Sequence, residues 1–158
     1  MKSEGLFTIA DVINSLNDMN RATVLEFHQL GVSLGCKEAI SSMGKKVDDW
    51  KCEYTTKKPK RALFILRVNK KGWSIRCKLF NIAKYEEAVA NCTERIKHVL
   101  SSIPDCEMHG GQCKGPVQFS INNDKHSKCR HYFLFQDLQV EDWACVQTLI
   151  KLESNYEE

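Results

Sequence analysis

Apolar residues recur at helical spacing in the first third of the chain, alternate with polar residues in the middle, and return to helical spacing near residue 85. Ile9, Val12, Ile13, Leu16 and Met19 mark one helix face. Thr8 followed three residues later by Asp11 has the form of a capping box, which starts that helix at Thr8. Asn17 to Asn20 breaks it. A second helix follows over 21–30, with Val24, Phe27 and Leu30 inward and Gly31 and Gly35 as interruptions. The spacing then predicts a short helix over 36–43, stopped by Gly44.

From Trp50 the period changes to two. Trp50, Cys52 and Tyr54 alternate with Lys51 and Glu53, as in a half-buried strand. A more uniformly apolar strand is predicted over 62–68. Lys70-Lys71-Gly72 forms a tight turn, and a third strand follows over 73–80. Trp73, Ile75, Cys77 and Leu79 share one face of it, and Ser74, Arg76 and Lys78 the other. Tyr85, Val89, Cys92, Ile96 and Val99 then line a helix over 85–100, ended by Pro104. Val117 to Ile121 is a short strand, Asn122-Asn123-Asp124 a turn, and 129–135 its hairpin partner. Asp137 caps a last helix whose stripe is Val140, Trp143, Val146 and Ile150. Glu141 and Asp142 stand in its first turn, where the helix dipole favours them. The segment from Glu153 on is expected to fray.

These elements predict an α+β fold in one domain. It has N-terminal helices, a central antiparallel sheet made of a three-stranded meander plus a C-terminal hairpin, and a C-terminal helix. Residues 1–46 form the helical segment and 47–158 the α+β core.

Composition narrows the function classes. With 158 residues, 42% hydrophobic and 27% charged, the chain has enough apolar surface for a core and is not disordered. No apolar run approaches the length of a membrane span, and the opening residues, with Glu4 among them, do not read as a signal peptide. A soluble, cytoplasmic protein with reduced thiols is therefore expected. Of the eight cysteines, Cys36, Cys52, Cys77, Cys92 and Cys145 fall inside predicted helices or strands and read as small buried hydrophobes.

The other three concentrate the candidate chemistry. Cys106, His109 and Cys113 flank Gly110-Gly111, and Cys129 and His131 follow on the next hairpin. Thiolate sulfur and imidazole nitrogen are the ligands of structural zinc, which takes four in a tetrahedron. Cys106, His109, Cys113 and Cys129 form the first set. His131 substitutes for His109 on the ground that alternate strand residues share a face, and His126, in the turn region, is the third choice. The spacing matches no standard zinc finger, and unligated thiols are the competing reading. Glu107 alone offers a general base inside the cluster, so a structural ion fits better than a catalytic one. Cys106 and Cys113 are too far apart for a Cys-x-x-Cys redox pair.

Two further groups stand out. Lys57, Lys58, Lys60, Arg61, Lys70 and Lys71 crowd two turns, and Arg76 and Lys78 extend them along a strand. Such cations contact phosphate or other anions, but a net charge of +3 favours a solvated face over a nucleic-acid site. Trp50, Tyr54, Trp73 and Phe80 could line a small-molecule pocket or simply belong to the core. No nucleophile elbow or phosphate-binding glycine loop is present in the sequence.

Trp50-Lys-Cys-Glu-Tyr54, Trp73-Ser-Ile-Arg-Cys-Lys-Leu-Phe80 and the closing Glu141-Asp-Trp143 helix resemble small bacterial domains of the YdhG type. The resemblance covers about 50–152. It implies the same order of helix, meander, helix, strand and helix, and a bacterial cytosolic protein, but no activity that transfers to particular residues. The chain lacks the Tyr-Gly-Met-Pro-like strand motif of that type and adds the Cys/His loop. The expectation is a small binding or adaptor domain, with zinc as its one candidate cofactor. A small molecule or a protein is favoured over nucleic acid as partner. A metal- or thiol-dependent enzyme using 106–131 and a nucleic-acid module using the basic turns are the alternatives.

Overall fold

The computed structural model describes residues 8–42, 49–69, 71–107 and 113–157. Thr8 caps the first helix, α1 (Ile9–Asn14), and its backbone N–H donates to Asp11 at 2.7 Å, completing the predicted capping box. Asn17 caps α2 (Asp18–Ser33), with its side chain accepting from Asn20 N–H at 2.9 Å. This restart resets the helical phase, so Met19 is not on the buried stripe and is 78% exposed. Gly31 lies inside α2, packed on Tyr54, and does not interrupt it. The stop comes at Gly35, whose φ of +71° suits a residue without Cβ. There Gly35 N–H donates to Val32 and Cys36 N–H to Gly31, the two bonds of a Schellman motif.

The segment after that stop corrects the sequence reading. It is a strand, β1 (Lys37–Ser42), not a helix over 36–43; Met43 and Gly44 lie outside the described residues. Six residues fit either period, and pairing with the neighbouring strand decides. β1 lies antiparallel to β2 (Trp50–Lys57), which pairs with β3 (Lys60–Asn69), which pairs with β4 (Gly72–Cys77). The meander is therefore present, with Lys70 in its last turn outside the described residues.

Beyond β4 a 3-10 turn (Ile82–Tyr85) leads into α3 (Glu86–Ala90) and α4 (Glu94–Ser101). The single helix expected over 85–100 is thus broken, because Thr93 adopts an extended conformation and caps α4. Tyr85, Val89, Cys92 and Ile96 are buried as expected. β5 (Val117–Ile121) forms a two-stranded sheet with β6 (Asp124–Lys128). The partner strand is therefore 124–128 and not 129–135. Asn122 and Asn123 both take positive φ, which lets a two-residue turn close the hairpin. β7 (Leu134–Gln136) instead adds to β4, giving a five-stranded antiparallel sheet in the order β1-β2-β3-β4-β7.

The chain closes with α5 (Val140–Glu153). Asp137 has a φ of +53° and is not the cap; Gln139 is, with its N–H donating to Asp142 at 2.9 Å. Val140, the first residue of α5, is 72% exposed, and Leu149 joins Trp143, Val146 and Ile150 in the buried stripe. α2 and α5 pack together and against the inner face of the sheet, where the row Ile40–Cys52–Leu66–Ile75–Phe135 runs across all five strands. Phe27 sits at their junction, edge-on to Phe64 and Trp143. The fold is α+β, with helices on one face of an antiparallel sheet.

Candidate functional site

The Cys/His region is a junction of three chain segments. The first is 104–106, just after α4. Cys129 N–H donates to Pro104 O at 2.9 Å, and Asp105 pairs with Lys128 both as an isolated bridge and as an ion pair at 3.0 Å. The second is 113–115, held because Arg130 Nε donates to Gly115 O at 2.8 Å. The third is 128–131, a turn in which Tyr132 N–H donates to Cys129 O. Cys129 and His131 are thus turn residues, and the argument that they share a strand face does not hold. His131 nonetheless meets Cys113: Sγ and Nε2 are 4.0 Å apart across 18 residues of sequence. A thiolate and an imidazole on one tetrahedral zinc sit about 3.6 Å apart.

Among the described residues no group of three or more His, Cys, Asp or Glu side chains is assembled to hold a metal ion. Cys106, Cys113 and Cys129 are half-buried, and Glu107 is exposed. His109, with Gly110 and Gly111, lies outside the described residues. His126 is in β6 rather than a turn, stacked on Phe119 with centroids 5.6 Å apart. It shares a shallow cleft of about 400 Å³ with Asp105, Cys106 and Lys125.

The four aromatics do not gather round one cavity. Tyr54 is fully buried and stacks on Phe64 at 4.4 Å. Trp73 stacks on Trp143 at 4.4 Å, and its indole N–H donates to Asn20 at 3.2 Å. Trp50 and Phe80 are half-buried against the same core, and the Arg130 guanidinium covers the Phe80 ring at 4.8 Å. The cations divide as well. Lys57, Lys58 and Lys60 are exposed around the β2–β3 turn, and Lys71 is exposed beyond β3. Arg61 turns inward. Arg76 is exposed on the outer sheet face, and Lys78 is half-buried.

No protein-family model, curated protein or solved structure matches this chain. The site therefore has to be read from its own residues.

Sequence reasoning missed Glu153. It is 1% exposed, not frayed. Arg61 Nη1 donates to its Oε1 at 3.0 Å and Arg61 Nη2 to its carbonyl at 2.6 Å. Asn81 donates from its backbone N–H at 3.0 Å and from its amide at 2.9 Å. The Tyr85 hydroxyl completes the set. Burial, and then the Glu153 charge, hold the Tyr85 phenol far above its ordinary pKa. The signal was available: Glu153 continues the 146–149–150 stripe of α5 by one more turn.

The outer face of the sheet was legible only in part. One row across it reads Ala39–Glu53–Ile65–Arg76–Leu134, and the next Ser41–Lys51–Arg67–Ser74–Gln136. A concavity of about 280 Å³ opens over these rows, lined by Lys51, Ile65, Arg67, Ser74, Arg76 and Leu134 among others. Arg67 is held by Asp49 through bonds of 3.0 and 2.7 Å, and Lys51 lies 3.5 Å from Glu53.

Proposed function

We propose that the chain is a small binding or adaptor domain of a reducing, cytoplasmic setting. One zinc ion, with ligands drawn from Cys106, His109, Cys113, Cys129 and His131, staples its Cys/His loop. The observation that carries the reading is the Cys113–His131 approach at 4.0 Å, in a junction that also fastens Cys129 to Pro104 and leads directly into Cys106. Zinc binding would draw in the remaining ligands and bind the 106–113 segment to the turn after β6. A structural ion of this kind contributes folding free energy, since its site does not exist in the unfolded chain. The exposed outer sheet face then serves as the surface for a small-molecule or protein partner.

Elemental analysis of protein purified under reducing conditions, without chelator or metal-affinity resin, tests this. About one zinc per chain is expected, lost together with thermal stability in Cys113→Ser and Cys129→Ser. Cys36→Ser, remote in sequence from the junction, should keep its metal. Metal-free protein with eight titratable thiols would overturn the staple. Retention on a polyanion column that falls steeply with salt, and vanishes when Lys57, Lys58 and Lys60 become Ala, would instead favour the nucleic-acid alternative.

A further inference from the structure

We propose that the concavity on the outer sheet face is a binding site for a small organic carboxylate, with Arg76 as its anion clamp. This rests on the reading of the chain as a binding domain and gives that domain a ligand class.

The argument begins with charge. Three cations line this concavity: Lys51, Arg67 and Arg76. Two are answered, Arg67 by Asp49 in a two-bonded ion pair and Lys51 by Glu53. Arg76 has no hydrogen-bond or ion-pair partner among the described residues. The concavity therefore presents one uncompensated positive charge, on β4 beside the centre strand β3, and that matches a monoanion. A dianionic phosphate would leave negative charge beside Asp49 and Glu53.

Register supplies the rest. Arg76 stands between Ile65 on β3 and Leu134 on β7 in one cross-strand row. Directly opposed strand residues are close enough for these two aliphatic side chains to border the guanidinium. Apolar neighbours exclude water and strengthen a charged hydrogen bond, and a guanidinium offers two parallel N–H donors to a planar carboxylate. Leu134 is 36% exposed, so an apolar ligand body resting on it would cover surface that otherwise faces water. Ser74 and Gln136, paired in the adjacent row, place a hydroxyl and an amide next to the same spot. About 280 Å³ is at the lower end for small-molecule sites, which suits an aromatic or short aliphatic acid.

The test uses the full chain, 15N-labelled, with amide shifts followed at constant ionic strength. Benzoate and hexanoate are the probes, with benzamide as the neutral isostere and inorganic phosphate as the competing anion. Saturable benzoate shifts centred on Ser74, Arg76 and Gln136 are expected. Affinity should fall roughly tenfold in Arg76→Gln, equivalent to about 1.4 kcal/mol, and recover only partly in Arg76→Lys. Arg76 is exposed, so these variants fold. Lack of saturation by either acid through the millimolar range would overturn the assignment. So would equal shifts from benzamide, or affinity unchanged in Arg76→Gln. Phosphate that displaces benzoate more strongly than hexanoate does would replace the carboxylate with phosphate. Zinc content measured on the same samples separates the two readings: lost benzoate binding with zinc retained counts against this site alone.

Discussion

A methyl group on Gly31 would sit 2.3 Å from Cδ1 and 2.7 Å from Cε1 of Tyr54, far inside van der Waals contact. Tyr54 has no room to yield, since it is fully buried, stacked on Phe64, with its hydroxyl 2.9 Å from His28 Nδ1. At an exposed helical site Gly→Ala gains about 1 kcal/mol. Gly31→Ala should instead destabilise by about 1–3 kcal/mol in urea unfolding, the cost of overpacking a core. Glu153 makes the opposite case, a buried charge fully answered. Glu153→Ala strands the Arg61 guanidinium and should cost about 3–5 kcal/mol. The double variant Arg61→Met, Glu153→Leu should recover only part of that, because Asn81 and the Tyr85 hydroxyl still lose their acceptor; a double-mutant cycle would measure the share owed to the ion pair. Asp142 brings pH into play. Burial raises its pKa, but hydrogen bonds from Thr93, Gln139 N–H and Arg95, with the Arg95 charge, outweigh burial and hold it below the ordinary value. Its contribution is therefore fully present above the unfolded-state pKa near 3.9 and is lost as pH falls through the lower folded value. The stability gap between the wild type and Asp142→Asn should be constant near neutrality and close in acid below about pH 4.

At the scale of elements, the strongly patterned segments were readable in the sequence. α1 with its capping box, the 24–27–30 stripe of α2, the β2–β4 meander and β5 appear close to where periodicity put them, because each has a clear burial pattern, although α1 stops at Asn14, short of Leu16 and Met19, and β4 at Cys77 rather than Phe80. The errors fall where pattern is short or partners are distant. β1 is six residues long and takes its conformation from β2. β7 is three residues long and lies beside β4, some sixty residues earlier, so nothing local marks it. Misplacing it also hid the carboxylate site, since Leu134 and Gln136 reach the outer face only through that pairing. The Cys/His cluster was legible as composition. Its geometry was not, because Cys113 and His131 meet through a turn and not along a strand. The break at 91–93 was hidden too, since Cys92 and Ile96 keep a helical spacing across it. Thr93 maintains that break: it caps α4 and also donates to Asp142. Thr93→Ala should cost about 1–2 kcal/mol, read as a lower urea midpoint, and Thr93→Ser should restore most of it.

Across the whole molecule the cysteines sort into two populations. Cys52, Cys77 and Cys92 are buried; the other five are half-buried, and none is in a disulfide. Burial pushes the Cys52 thiol up to about 11, despite a hydrogen bond with Tyr54, and Cys92 up to about 12, with Cys145 adding to it. Thiolate is the reactive form, so these thiols should resist a thiol reagent until the chain unfolds. Without zinc, five thiols should label in the native state; with zinc on Cys106, Cys113 and Cys129, only Cys36 and Cys145 should label until a chelator is added. The Arg61–Glu153 pair reaches across the same whole. Its partners are separated by 92 residues. On the ribosome, at the usual elongation rate, that interval lasts roughly 5–20 s. A meander formed in that interval would carry an unpaired guanidinium and an apolar face that α5 has yet to cover. The closing helix is thus the element that completes the fold, answering the guanidinium and covering the apolar face in one step.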